Sequence, residues 1–328
     1  MDGAEVRLQD ILSDPERPYD VRPARLYTRD DLMEGWHPGA DHSATLDGRI
    51  YRHVKAHGGR APDMAEGLAQ RTHDFFIDSA LADFLAANTR PVIGIMGGSR
   101  TMASDPSYRR VVALAASFTQ RGYLVVGGGG LGIMEAANLG AYLAGCSGDE
   151  RDEAVQALAD TPGYAADQAG YLEVAVGIRE RFAPGAESLA IPTWTNEGEP
   201  ISQFASHIAK YFSNSIREDG MLAVATAGIV FAPGGAGTMQ EIFQDAAQNA
   251  SRAFGRSPMA FLDTRHYCAQ TGLYPALERQ AKRLGFSDLL SVSDEPEEIL
   301  ERFPAGPAPP RLDGMQPQML VRRMRNPR

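Results

Sequence analysis

From Pro91 onward the chain alternates short apolar runs with longer segments whose apolar residues recur every three or four positions. Unbroken or period-two apolarity over four to six residues points to a buried strand, and a 3.6-residue period points to an amphipathic helix. The pattern predicts strands at 92–97, 123–127, 187–192, 228–232, 258–262 and 289–292, joined by helices. Strands alternating with helices build a parallel sheet covered on both faces, so the expected fold is α/β, a doubly wound, Rossmann-like parallel sheet.

Three stretches depart from this rhythm. The chain before Pro91 is first polar and irregular, interrupted by Pro15, Pro18, Pro23 and Pro38. It then takes helical spacing over Met64 to Ala87, where Ile77, Leu81, Phe84 and Leu85 mark an extra helix packed on the core. After Cys146 an acidic, alanine-rich stretch to about Gly170 predicts a helical insertion with a solvated face. From Pro304 a proline- and arginine-rich tail reads as a mobile arm or inter-subunit strap. The expected organisation is an N-terminal extension at 1–90, a Rossmann-like domain at 91–303 and an irregular tail at 304–328.

Glycines cluster where predicted strands end: Gly97-Gly98-Ser99-Arg100, Gly127 to Gly130 with Gly132, and Pro233-Gly234-Gly235-Ala236-Gly237-Thr238 ahead of Glu241. Turns of this kind let a ligand approach the backbone, and the unpaired N–H groups of a first helical turn bind phosphate with help from the helix dipole. At the carboxyl edge of a doubly wound sheet they converge on one ligand. A mononucleotide fits, its phosphate on the amides of Gly234, Gly235, Ala236, Gly237 and Thr238, with Gly98, Ser99, Gly128, Gly129 and Gly130 lining its sugar and base. A purely structural reading makes Thr238 the N-cap and Glu241 the third helical position of a capping box. Gly127, Gly129 and Gly132 also satisfy the G-x-G-x-x-G count, but after the second predicted strand rather than the first, where the dinucleotide fingerprint belongs.

The run from Pro233 to Glu241 resembles the PGGxGTxxE signature of the LOG family, named for cytokinin-activating phosphoribohydrolases and including bacterial nucleotide 5'-monophosphate nucleosidases. Gly94 to Arg100 and Val125 to Ala137 resemble two further family motifs in the same order, so the likeness spans roughly Pro91 to Leu290. The resemblance implies hydrolysis of the N-glycosidic bond of a nucleoside 5'-monophosphate, AMP or a cytokinin-type monophosphate, by a homodimer or higher homo-oligomer without cofactor. It implies Glu241 as the catalytic carboxylate and Arg217, with Met221 four residues on, as the catalytic arginine. The family's lysine beside that arginine is Glu218 here. Met134 and Glu135, from the second motif, would border the base. The alternative is a non-catalytic carrier of a nucleotide or phosphorylated cofactor, since related folds include a molybdenum-cofactor carrier.

Several secondary candidates follow from position alone. Arg100 adds a cation after the first turn, and Asp245 shares a helical face with Glu241, where pairing with a neighbouring arginine is expected. His207, Trp194, Tyr211 and Phe212 flank the site segment as base-contacting candidates, with core packing the commoner fate of such residues.

Composition narrows the chemistry. Asp and Glu outnumber Lys and Arg by 42 to 32, a net charge of −10 that argues against a nucleic-acid partner. The lysines are Lys55, Lys210 and Lys282, none in a glycine loop, which excludes a Walker P-loop. Two cysteines and seven histidines show no ligand spacing, so no metal is expected. The sequence shows neither a signal segment nor an apolar run of membrane-spanning length, giving the expectation of a cytoplasmic protein without a membrane partner.

Overall fold

The computed structural model describes residues 14–195 and 200–303; the expected 304–328 tail lies outside them. Among the described residues seven parallel strands form one sheet in the order β4-β3-β2-β1-β5-β6-β7. They are β1 Val92–Met96, β2 Leu124–Gly127, β3 Ser188–Ala190, β4 His207–Ile208, β5 Gly228–Phe231, β6 Met259–Leu262 and β7 Leu290–Ser293. Side chains alternate across the central strand. Ile93 and Ile95 join Val125 and Val230 in one core, while Val92 and Met96 join Leu124, Val126 and Phe231 in the other. The fold is the doubly wound α/β sheet that the pattern predicts.

The helices are α1 Arg29–Leu32, α2 Leu46–Ala56, α3 Met64–Ala87, α4 Pro106–Gln120, α5 Ile133–Tyr142, α6 Gly148–Ala159, α7 Gln168–Arg181, α8 Asn214–Val224, α9 Ala236–Ser251, α10 Leu273–Leu284 and α11 Pro296–Glu301. Apolar residues of α2, α4, α5, α6, α7 and α11 cover one face of the sheet. Those of α3, α8, α9 and α10 cover the other. Burial of each Leu, Ile or Phe in these layers contributes about 1.5–3 kcal/mol.

From β1 the chain steps outward to β4 and then returns to β5 on the opposite side of β1, which places the topological switch point between β1 and β5. Strand β4 was not among the six expected. Its two residues are too few for any period to register, and it exists because Ile208 pairs with β3 and also bridges Tyr27 of the N-terminal segment. The Tyr27 amide donates to the Ile208 carbonyl at 3.0 Å and receives the reciprocal bond at 2.8 Å, covering the exposed edge. The predicted insertion after Cys146 is helical, formed by α6 and the start of α7.

A buried polar knot joins the N-terminal segment to the sheet. Lys210 Nζ and Trp194 Nε1 both donate to Asp47 Oδ1, at 2.6 and 2.7 Å, and His42 Nε2 lies 2.8 Å from Oδ2. Burial by itself would raise the Asp47 carboxyl, but Lys210 and His42 outweigh it and hold the group down at about 2.

Candidate functional site

Three glycine turns interlock at the switch point. The Gly98 amide donates to the Pro233 carbonyl at 3.0 Å, and the Ile133 amide donates to the Gly98 carbonyl at 3.1 Å. A Cβ on Gly98 would stand 3.3 Å from the Gly234 Cα, so the first and third turns are in direct contact. Gly132, at φ +67°, lies so close to the Gly98 carbonyl and Ser99 that no side chain fits, and its backbone conformation favours glycine in any case.

Helix α9 begins at Ala236 with Gly235 as N-cap and no side-chain capping bond. The capping box that the structural reading placed on Thr238 and Glu241 does not form, because the helix starts two residues before Thr238. Gly235, Ala236 and Gly237 are exposed at the helix's positive end, where first-turn amides have no partner within the helix. Thr238 is buried, with its hydroxyl over Gly234. This is the geometry of an anion cradle.

One turn further on, Glu241 meets Arg217. The guanidinium Nη1 lies 3.6 Å from Glu241 Oε1, and both residues are buried, at 6% and 9% exposure. Arg217 Nε donates to the Ile191 carbonyl at 2.8 Å, which anchors the fork at the end of β3. The fork then crosses Gly128, where a Cβ would collide with both Arg217 and the Met134 sulfur. Burial pushes the Glu241 carboxyl up to about 7, against the pull of Arg217 and with a further push from Glu218. Glu218 itself accepts from Asn214 and Gln240, at 2.7 and 2.6 Å, so it joins α8 to α9 rather than pairing with Arg217.

Other positions fall differently. Gly128, Gly129 and Gly130 are buried, and Gly129 packs against Ala190 and Pro192, so this turn supports the site from below rather than lining an open sugar pocket. Glu135 turns into the α5 side of the core, where it is buried and accepts from Tyr108 and Tyr171. Trp194, Tyr211 and Phe212 are core residues, at most 6% exposed, and His207 packs on Phe84 and faces Glu187 at the sheet edge. Arg100 is exposed beside Ser99, where both line a cleft of about 730 Å³. The other walls of that cleft include Leu158, Gln168 and Tyr171, which no motif marks and which sequence reasoning passed over.

Asp245 does not pair with an arginine. Asn249 donates to its Oδ1 at 3.4 Å, and Oδ2 has no hydrogen-bond partner among the described residues. Burial raises its carboxyl to about 7, above an ordinary value near 4. The folded state therefore holds a proton that the unfolded chain has released. The resulting stability is complete below about pH 4 and is lost as pH rises to about 7. Asp245→Asn is expected to raise Tm at pH 8 and to change it little at pH 4; equal shifts at both pH values in thermal melts would exclude a buried protonated Asp245.

Neither protein-family models nor curated proteins match this chain. Solved structures do align with part of it. A molybdenum cofactor binding protein from the phototrophic bacterium Rippkaea orientalis aligns at 14% identity and a TM-score of 0.40, over 65% of this chain and 94% of that one. The molybdenum cofactor carrier protein of Chlamydomonas reinhardtii aligns at 16% identity and a TM-score of 0.41, over the same shares. A structural-genomics protein, TM1055, aligns at 16% identity and 0.39, over 64% and 96%. Among the described residues no helix is long and apolar enough to cross a membrane.

Proposed function

We propose that the chain binds a nucleoside 5'-monophosphate at the switch point and hydrolyses its N-glycosidic bond, releasing free base and ribose 5-phosphate. The observation that carries this reading is the buried Arg217–Glu241 pair directly beside an exposed helix N-terminus and the interlocked glycine turns. The phosphate binds the free amides from Gly235 to Thr238, as anions do at helix N-termini. Its ribose then extends past Gly98 and Ser99 toward Glu241. The motif resemblance to the LOG family supports the same assignment of residues, and the homo-oligomer it implies belongs to this reading.

In the reaction water adds to C1' of the ribose while the C1'–N bond breaks, its electron pair leaving on the base nitrogen, which takes up a proton. The transition state is oxocarbenium-like, and a carboxylate beside it stabilises the positive charge. Glu241, with its carboxyl raised to about 7, is matched to accepting the water proton near neutral pH. Arg217 presents donors in a fixed fork to the sugar phosphate and limits how far burial raises Glu241.

The test is incubation of the purified chain with nucleosides and nucleoside 5'-monophosphates, with chromatographic detection of free base. Release from monophosphates alone is expected. If a nucleotide raises Tm and no base is ever released, the chain is a ligand carrier and the hydrolase reading fails.

A further inference from the structure

The cleft of about 730 Å³ beside Ser99 lies on the α5–α7 side of the sheet, across the glycine turns from the Arg217–Glu241 pair. It shares Ser99 and Gly132 with the interlocked turns, so it opens directly from the proposed ribose position. Its size falls within the roughly 300–1,000 Å³ of small-molecule sites. The far walls come from α6, α7 and the loop between them, in the segment that composition marks only as a solvated helical insertion.

The lining has a definite chemistry. Leu131 and Leu158 present apolar surface, and Tyr164 and Tyr171 stand edge to face, with ring centroids 5.9 Å apart. Tyr171 directs its hydroxyl to buried Glu135, leaving its ring as the part available to the cleft. Exposed Arg100 has no ion-pair partner among the described residues, and the Gln168 side chain, also in the lining, has no hydrogen-bonded partner among them. No carboxylate lines the space. An aromatic and aliphatic interior with a free amide and a free cation in the lining suits a flat heteroaromatic ring that carries polar edges and is attached to an anionic group.

We infer that this cleft receives the base of the nucleotide, and that Leu158, Gln168 and Tyr171 make the α6–α7 segment the wall that selects among bases. This rests on the nucleotide reading of the switch point. The Gly128–Gly130 turn is buried and unavailable for the task, with Arg217 and Met134 over Gly128 and Pro192 over Gly129. Purines bind more tightly than pyrimidines here, because the larger ring system removes more apolar surface from water against the same walls.

Thermal-shift titrations of the full chain with AMP, CMP and ribose 5-phosphate test the assignment, using wild type and Gln168→Trp. Gln168 is half-buried at the first position of α7, so a large ring there narrows the cleft without opening the core. The expected result is AMP bound more tightly than CMP by wild type, AMP weakened at least tenfold in Gln168→Trp, and ribose 5-phosphate unchanged. Unchanged AMP affinity in the variant, with ribose 5-phosphate still bound, overturns the cleft assignment and leaves the nucleotide reading standing. Loss of AMP and ribose 5-phosphate together in a variant of unchanged Tm also overturns it, because the cleft would then hold the sugar phosphate. If wild type binds none of the three, the nucleotide reading falls and the cleft assignment falls with it.

Discussion

Asp47→Ala is expected to lower Tm by on the order of 10 °C. The substitution leaves the Lys210 ammonium, 2% exposed, with no anion in a site that Asp47 now fills from 2.6 Å. Stranding one member of a buried ion pair costs about 3–5 kcal/mol, and each kcal/mol moves Tm by roughly 2 °C in a chain of this size. Trp194 also loses its acceptor, and the N-terminal segment loses its deepest tie to the sheet. The double substitution Asp47→Leu with Lys210→Met is expected to recover most of the loss, because it removes both charges together. Thermal melts of the single and double variants decide the matter; a double variant no better than Asp47→Ala would mean that packing, rather than a stranded charge, sets the cost. The wild-type pair also carries a pH signature. Asp47 is held at about 2, below an ordinary value of about 3.8, so its stabilisation is present above about pH 4 and lost as pH falls toward 2.

Glu241→Gln is expected to reduce kcat/KM for a nucleoside 5'-monophosphate by roughly 10³-fold, within the range usual for a general acid–base group. Glutamine keeps the size and a hydrogen-bonding oxygen, so the fold and the contact with Arg217 survive; what is lost is the charge facing the sugar and the proton acceptor. In wild type the carboxyl is raised to about 7, chiefly by burial. As the base it works ionised, so kcat/KM is expected to rise with pH through about 7 and then level off. In Glu241→Gln that rise should vanish while nucleotide affinity stays near wild type. Steady-state rates from pH 5.5 to 8.5, with circular dichroism of the variant, provide the check. A variant that retains the wild-type rate and the same pH rise removes Glu241 from the mechanism.

The two predictions draw on parts of the molecule that are unequally visible in the sequence. Glu241 is legible because its surroundings are local: an apolar strand, a glycine turn and a helix start fall within about a dozen consecutive residues. Strand and helix periods repeat every 2 and 3.6 residues, so a short window carries them. For the same reason six of the seven strands among the described residues, the carboxyl-edge turns and α3 could be placed from pattern alone.

The pairing of Asp47 with Lys210 is invisible at that range, since 163 residues separate them and neither lies in a motif. The partner of Arg217 was equally open. Glu218 and Asp219 are its acidic neighbours in the chain, yet the return of α8 and α9 to one face of the sheet brings Glu241 to it instead. Tertiary packing alone also decided that Trp194, Tyr211 and Phe212 belong to the core, that Glu135 faces inward, and that α6 and α7 wall a cleft. By itself, then, the sequence determined the α/β class, the glycine turns at the strand ends and the acid beside one of them, because each follows from bonding within a few residues. Which charges meet, which glycines stay open and where a base would fit depend on surfaces joined only when the sheet closes, and no local period records those.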